Sequence, residues 1–307
     1  MTTQPTVDRR KLETLNGVLD GLMRRYQERV PDVEAIIQAM IGDGLIGAPE
    51  DIENDHIAFR TMGVPQLGIA SLEKIFLHLG YERRDAYAFP GKKLDAFWYS
   101  PPEPRLPRIF ISELRVAELS DEVQRVIRSY TGEVTSDPVD ALDLDNAAEI
   151  DAFLHQALWR LPSYEDFQRL AGESEYAAWV IYNRYYLNHF TISVHNLPGG
   201  YDTVASFNTF LEGHGFKLND SGGKAKESPD GLLIQSSTVA EMIGATFAGD
   251  DTHKISGSYV EFAERRPLPE HRGKSKGELK RTERREGFEA SNADKIFEST
   301  YSAQTGR

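Results

Sequence analysis

Two far-separated segments of this chain are written on one plan, and that duplication restricts the possible folds more than any other feature. Each opens with a strand-like alternation carrying a histidine: Asn54-Asp55-His56-Ile57-Ala58-Phe59-Arg60-Thr61 early, and Asn188-His189-Phe190-Thr191-Ile192-Ser193-Val194-His195 late. Alternate residues of a strand share a face, so His56, Ala58 and Arg60 point one way and Ile57 and Phe59 the other. A helix follows in each copy, Ser71 to Gly80-Tyr81 and Ser206 to Gly215-Phe216, with the same serine-to-glycine spacing, a serine cap and a glycine stop. Strands come next: Asp85–Phe89, Leu94–Tyr99 and Arg108–Leu114 in the first copy, Leu232–Val239 and Gly257–Ala263 in the second. The last strand of each copy holds a glutamate, Glu113 or Glu261.

Two such βαβββ modules describe an α+β fold in which half-barrels close into a half-open β-barrel cup. The remaining sequence is helical. Leu12, Leu15, Leu19, Leu22 and Met23 recur at helical spacing, and Pro31 breaks this region before a second helix with Val33, Ile36, Ile37 and Met40. Four more helices are expected between 120 and 187, with an acidic, solvated loop (Glu133 to Asp145) after the first. The expected organisation is therefore N-terminal helices (1–50), a first module (51–118), a helical insertion (119–187), a second module (188–266) and a basic C-terminal tail (267–307), together one catalytic domain. The tail's run from His271 to Arg285 reads as a solvated arm, with a lid or phosphate contact as the lesser alternative.

Composition removes several classes of function. The formal net charge of -13 argues against a general nucleic-acid binder, which needs a basic face. The chain has no cysteine, which excludes disulfides, zinc–thiolate sites, iron–sulfur clusters and thiol nucleophiles. A metal must then be held by His, Asp or Glu. No apolar signal core opens the N-terminus and no run reaches membrane-spanning length, so a cytoplasmic protein is expected.

A lone strand histidine is usually a packed one. Duplication lifts His56 and His189 above that. If the first and last strands face into the cup, His56, Glu113, His189 and Glu261 converge. Two imidazoles with one carboxylate suit non-heme Fe(II), or Mn(II). All four residues together would suit a metal-dependent lyase or isomerase of the glyoxalase type. A non-catalytic ligand-binding protein of the same fold is the third reading. Periodicity does not choose between Glu113 and Glu261. Arg60 shares the His56 face and carries a fork shaped for a carboxylate. Ser193 takes its place in the second copy, and His195 lies further along the same strand; both are candidate substrate contacts.

The His56–Arg60 and Asn188–Thr191 motifs, Tyr259-Val260-Glu261-Phe262-Ala263-Glu264-Arg265 and the tail Ala293-Asp294-Lys295-Ile296-Phe297-Glu298-Ser299-Thr300 together resemble the DUF1338 family. Its characterised members are 2-oxoadipate dioxygenase/decarboxylases of vicinal-oxygen-chelate architecture. The resemblance spans roughly Glu53 to Thr300. It implies an Fe(II) enzyme that takes O₂ and 2-oxoadipate, or a related 2-oxo acid, to 2-hydroxyglutarate and CO₂ in lysine breakdown. It also implies His56, His189 and Glu261 as ligands, which favours Glu261 over Glu113, with Arg60 on the substrate carboxylate. An acidic protein drawing in a dianion needs local positive charge, which Arg60 and the Arg265–Arg285 arm would supply.

Overall fold

The computed structural model describes residues 8–306. Its elements in chain order are α1 (Arg9–Arg29), α2 (Pro31–Gly42), β1 (Asn54–Met62), α3 (Ile69–His78), β2 (Glu82–Phe89), β3 (Leu94–Ser100) and β4 (Arg108–Leu114). The helices α4 (Asp121–Thr131), α5 (Ala147–His155), α6 (Tyr164–Glu173) and α7 (Glu175–Asn183) follow. Then come β5 (His189–Ser193), α8 (Val204–Gly213), β6 (Lys226–Glu227), β7 (Leu233–Ser237), β8 (Met242–Phe247), β9 (Asp251–Ser256), β10 (Tyr259–Arg265) and α9 (Ala290–Ile296). Two compact units emerge. One holds the chain up to Tyr26 with Phe59–Leu187 and Phe247–Asp251; the other holds Gln27–Ala58, Asn188–Thr246 and Thr252–Arg307. Strand order is β2-β3-β4-β1 in the first and β1-β5-β10-β7-β6 in the second, with β1 the strand common to both.

The duplication is visible in detail. α3 and α8 both end in a glycine of left-handed backbone, Gly80 (φ 97°) and Gly215 (φ 85°). In each case the next amide returns to the last turn, Tyr81 to Phe76 O and Phe216 to Leu211 O. The starts differ from expectation. Ser71 and Ser206 are not caps but third residues of their helices, behind Gly68 and Thr203. Ser206 completes a capping box with Thr203, whereas the Ser71 hydroxyl donates to Asp137.

What caps α3 is Glu113, whose Oε2 accepts from the Ile69 amide at 2.7 Å. Its counterpart in the second unit is Glu264, whose Oε2 accepts from the Val204 amide of α8 at 2.9 Å. Both are the sixth residue of a seven-residue strand. The expected pairing of Glu113 with Glu261 is therefore three residues out of register. The residue of β4 at the Glu261 position is Phe110. Replacing Glu113 by alanine removes a carboxylate from a helix N-terminus. It should cost about 1–2 kcal/mol, lowering Tm by about 2–8 °C, while metal content stays at the wild-type level.

Other expectations are corrected by local chemistry. The acidic loop is not simply solvated: Asp137 takes Ser71 and Lys74, and Asp145 takes His78, all on α3. α5 stops at His155 rather than running to Leu161, since Trp159 Nε1 donates to Ile181 O and Arg184 Nη2 to Trp159 O. β8 and β9 form a two-stranded sheet the module pattern did not include, turning at Gly249 (φ 80°) and Asp250 (φ 59°). The basic tail folds back on its own unit: Arg284 is 7% exposed and donates to Arg265 O, and Phe288 is 3% exposed.

Candidate metal centre

β5 lies between β1 and β10 in the second unit, antiparallel to the former and parallel to the latter. Ala58 pairs with His189, and Tyr259 pairs with His189 on the other side. The β1–β5 register shifts between Asn54 and Ile57. Such an irregularity re-aims a side chain, and it falls at Asp55-His56.

His56, His189 and Glu261 each offer one ligand atom, and these atoms all lie within 4.8 Å of one another. His56 Nε2 stands 3.3 Å from Glu261 Oε1 and His189 Nε2 stands 3.1 Å from Glu261 Oε2. The imidazoles meet edge to face at 5.4 Å. All three residues are buried, at 1%, 6% and 1% exposure. Glu113 lies outside this group, held at the α3 N-terminus.

The surroundings fix the tautomers. His56 Nδ1 is 2.8 Å from Asp55 Oδ1 and His189 Nδ1 is 3.0 Å from Asn188 Oδ1. Each acceptor takes an Nδ1–H, so Nε2 is the atom that each ring turns toward Glu261. The acceptor is in both cases the residue just before the histidine, another mark of the duplication. Gln235 Nε2 donates to Glu261 Oε1 at 2.7 Å, and Asn292 Nδ2 donates in turn to Gln235 Oε1 at 3.1 Å. Phe288 packs edge-on to His56 at 4.7 Å, and Tyr259 lies against His189 at 4.8 Å. Thr191 Oγ1 approaches His56 Nε2 at 3.1 Å.

Without a cation the centre holds its charges in place. Burial alone would pull the His56 imidazole down, but the Glu261 and Asp55 carboxylates outweigh it and raise its pKa. Burial alone would raise Glu261, but His56 and His189 outweigh it and keep the carboxylate ionised. A divalent cation would displace any proton at Nε2, and two oriented Nε2 atoms with one ionised carboxylate are then the donor set it requires, so the residues fit such an ion.

The other candidate residues make contacts of their own. Arg60 is 1% exposed, in the first unit, with its guanidinium 5.2 Å above both Tyr176 and Trp179. Ser193 Oγ donates to Glu53 Oε1 at 3.3 Å. His195 accepts the Arg265 amide at Nδ1 (3.2 Å), and burial pulls its pKa to about 3. Above pH 6.5 this ring is neutral folded or unfolded. Below it the unfolded chain gains a proton that the folded ring refuses until about pH 3. Stability should therefore fall by up to about 1.4 kcal/mol per pH unit from this residue alone. Urea unfolding at about pH 7 and pH 5.5 should show a shallower decline for His195→Gln.

Asp55, Asn188, Gln235 and Phe288 carry no role in the motif reading, and Arg265 enters it only as the start of a basic arm. The first two were signalled by a polar acceptor preceding each histidine; the last three needed the tertiary fold.

Fold and donor set define a duplicated α+β protein with a buried group of two histidines and one carboxylate that could hold a metal. The chain belongs to the 2-oxoadipate dioxygenase/decarboxylase family, whose family model matches residues 18–278. It is 46% identical over 304 residues to the chloroplastic 2-oxoadipate dioxygenase/decarboxylase of Arabidopsis thaliana, covering 95% of this chain and 78% of that one. The chloroplastic/amyloplastic enzyme of Oryza sativa subsp. japonica is 44% identical over 301 residues, covering 94% and 79%. The crystal structure of hydroxyglutarate synthase in complex with 2-oxoadipate from Oryza sativa matches with a TM-score of 0.89 at 41% identity, over 98% of this chain and 96% of that one. These relatives overturn the expected cytoplasmic location: both named plant proteins are plastid proteins. No helix among the described residues is long and apolar enough to cross a membrane.

Proposed function

We propose that this chain is an Fe(II)-dependent dioxygenase that converts 2-oxoadipate and O₂ to 2-hydroxyglutarate and CO₂, as a step of lysine breakdown. The observation that carries the reading is the buried His56–His189–Glu261 group, in a chain closely similar to a structure described as bound to 2-oxoadipate. His56 Nε2, His189 Nε2 and a Glu261 oxygen would hold the metal. Bound there, Fe(II) supplies the electrons that ground-state O₂ needs to react with a closed-shell acid, and Lewis acidity toward the keto group.

The chain's own residues do the rest. Asp55 and Asn188 hold the two rings by Nδ1, which aims both Nε2 atoms toward Glu261. Gln235 restrains Glu261, so the third ligand does not swing. Phe288 and Tyr259 pack against the imidazoles and keep water from that side of the rings. Arg60, four residues beyond His56 on β1, is assigned a substrate carboxylate. Its stacking on Tyr176 and Trp179 sets the plane in which the guanidinium donates. Ser193 and His195 are assigned further substrate contacts in this reading, with Ser193 held by Glu53 and His195 by the Arg265 amide.

The engagement of Glu113 at α3 favours a three-ligand site over the four-ligand lyase reading. The test is an oxygen-electrode assay of anaerobically purified, Fe(II)-reconstituted protein with 2-oxoadipate and shorter 2-oxo acids. Oxygen consumption matched mole for mole by 2-hydroxyglutarate is expected. Turnover that persists without O₂, or no uptake with any 2-oxo acid, would sink the proposal.

A further inference from the structure

One buried ion pair in the second unit touches a metal-ligand residue from behind. Arg265 Nε donates to Asp55 Oδ2 at 2.7 Å and Arg265 Nη2 to Asp55 Oδ1 at 2.9 Å, a two-point grip. Asp55 Oδ1 is also the atom 2.8 Å from His56 Nδ1. Both partners are 1% exposed. The other side of the guanidinium is held by the C-terminal segment: Arg265 Nη1 donates to Arg285 O at 2.9 Å and to Gly287 O at 2.7 Å. The residue after Gly287 is Phe288, whose ring lies 4.7 Å from the His56 ring and 5.4 Å from the Arg265 guanidinium carbon. Arg281 Nη2 adds a contact to the Asp55 carbonyl at 3.3 Å.

We propose that Arg265 is a positioning residue for the metal centre, tying the 284–288 segment through Asp55 to the orientation of His56. The inference rests on the reading of His56, His189 and Glu261 as metal ligands. The physical case is geometric. A carboxylate with one oxygen shared between an imidazole N–H and a guanidinium has little rotational freedom, because a two-point Arg–Asp grip defines a plane. His56 inherits that plane through Nδ1. His189 has the neutral, single-point Asn188 at its Nδ1, so the acceptors behind the two rings differ in charge and grip. The backbone carbonyls of Arg285 and Gly287 saturate the far N–H groups of Arg265, so the tail is part of the support. Partners of this kind set metal affinity by about 10–100-fold.

The test uses the full chain freed of metal and titrated with Co(II), reading visible d–d absorption and the dissociation constant by chelator competition. Wild type should bind one equivalent, and Glu261→Ala should not. Arg265→Met and Asp55→Asn should each weaken Co(II) by about 10–100-fold and shift its absorption bands. The Asp55→Asn/Arg265→Met double variant should be no weaker than the worse single, since both act on one path. That double variant leaves no unpaired buried charge, which preserves a folded protein to measure if a single variant fails to fold. Glu264→Gln is the control: it removes a buried charge from the same strand, one that caps α8. It should lower Tm and leave the Co(II) spectrum and affinity unchanged. If Glu261→Ala binds Co(II) like wild type, the ligand reading itself is wrong. If Glu261→Ala loses Co(II) but Arg265→Met and the double variant keep wild-type affinity and spectrum, the positioning role alone is overturned. It is equally overturned if Glu264→Gln weakens Co(II) as much as Arg265→Met.

Discussion

Glu261→Ala should purify without stoichiometric metal, and Mn(II) or Fe(II) should no longer raise its Tm. The reason lies in the charge of the donor set. His56 and His189 contribute no charge of their own to a bound cation, and Glu261 is the single anionic ligand of the group. Removing it withdraws one of three ligand atoms and the whole of their negative charge. The affinity loss should therefore exceed the about 10–100-fold expected of an outer partner. Elemental analysis of protein isolated side by side gives the answer: metal at wild-type stoichiometry in Glu261→Ala would remove the centre as described. Glu113→Ala makes the comparison decisive. A four-ligand site predicts comparable metal loss in both variants, and a three-ligand site predicts loss only in Glu261→Ala.

The second large effect belongs to Arg60→Ala, which should keep its metal and lose turnover. Truncating one partner of a buried charge pair costs about 2–5 kcal/mol, so kcat/KM with 2-oxoadipate should fall by roughly 30- to 4,000-fold. Arg60→Lys should not restore it. An ammonium lacks the planar fork, and it cannot stack on Tyr176 and Trp179 as the guanidinium does. Metal content measured beside activity separates the roles. Retained activity in Arg60→Ala, or metal loss equal to that of Glu261→Ala, would each contradict the assignment to substrate.

Much of this was legible before any coordinates. The repeat of strand, helix and strands, the break at Pro31 and the two histidines all follow from periodicity and punctuation, which are local signals. The choice of glutamate was not. Glu113 and Glu261 each close a module, and only the hydrogen bonds from Ile69 and Val204 reveal that Glu113 matches Glu264. The expected alignment failed because two acidic residues sit three apart on β10, one facing the centre and one capping a helix. The β8–β9 pair was overlooked although Gly249-Asp250 is a hairpin turn signal, because the module plan was imposed over it. The tail departs from its composition only at its far end. Arg272, Lys274, Lys276 and Lys280 are exposed as a charged run suggests, yet Arg284 is buried and donates to the Arg265 carbonyl, a partner that composition does not reveal.

The two copies have also diverged in a way that bears on chemistry. Where β10 offers Glu261, β4 offers Phe110. A duplicated site could have kept a carboxylate from each half. Here a capping carboxylate stands in both modules and the candidate ligand in the second only. Under the proposed function, fewer anionic ligands would leave more coordination positions and a more positive metal for an anionic acid and O₂.

The order in which the ribosome delivers the centre has its own consequence. Asp55 and His56 emerge first of these residues, His189 and Glu261 much later, and Phe288 and Asn292 after them. A nascent chain halted before Phe288 would hold the three candidate ligands without the Phe288 ring packed on His56 or the Asn292 amide behind Gln235. A metal should therefore be held at full strength only once the segment through Asn292 has folded, and fragments truncated near Glu283 should bind Co(II) more weakly than the full chain.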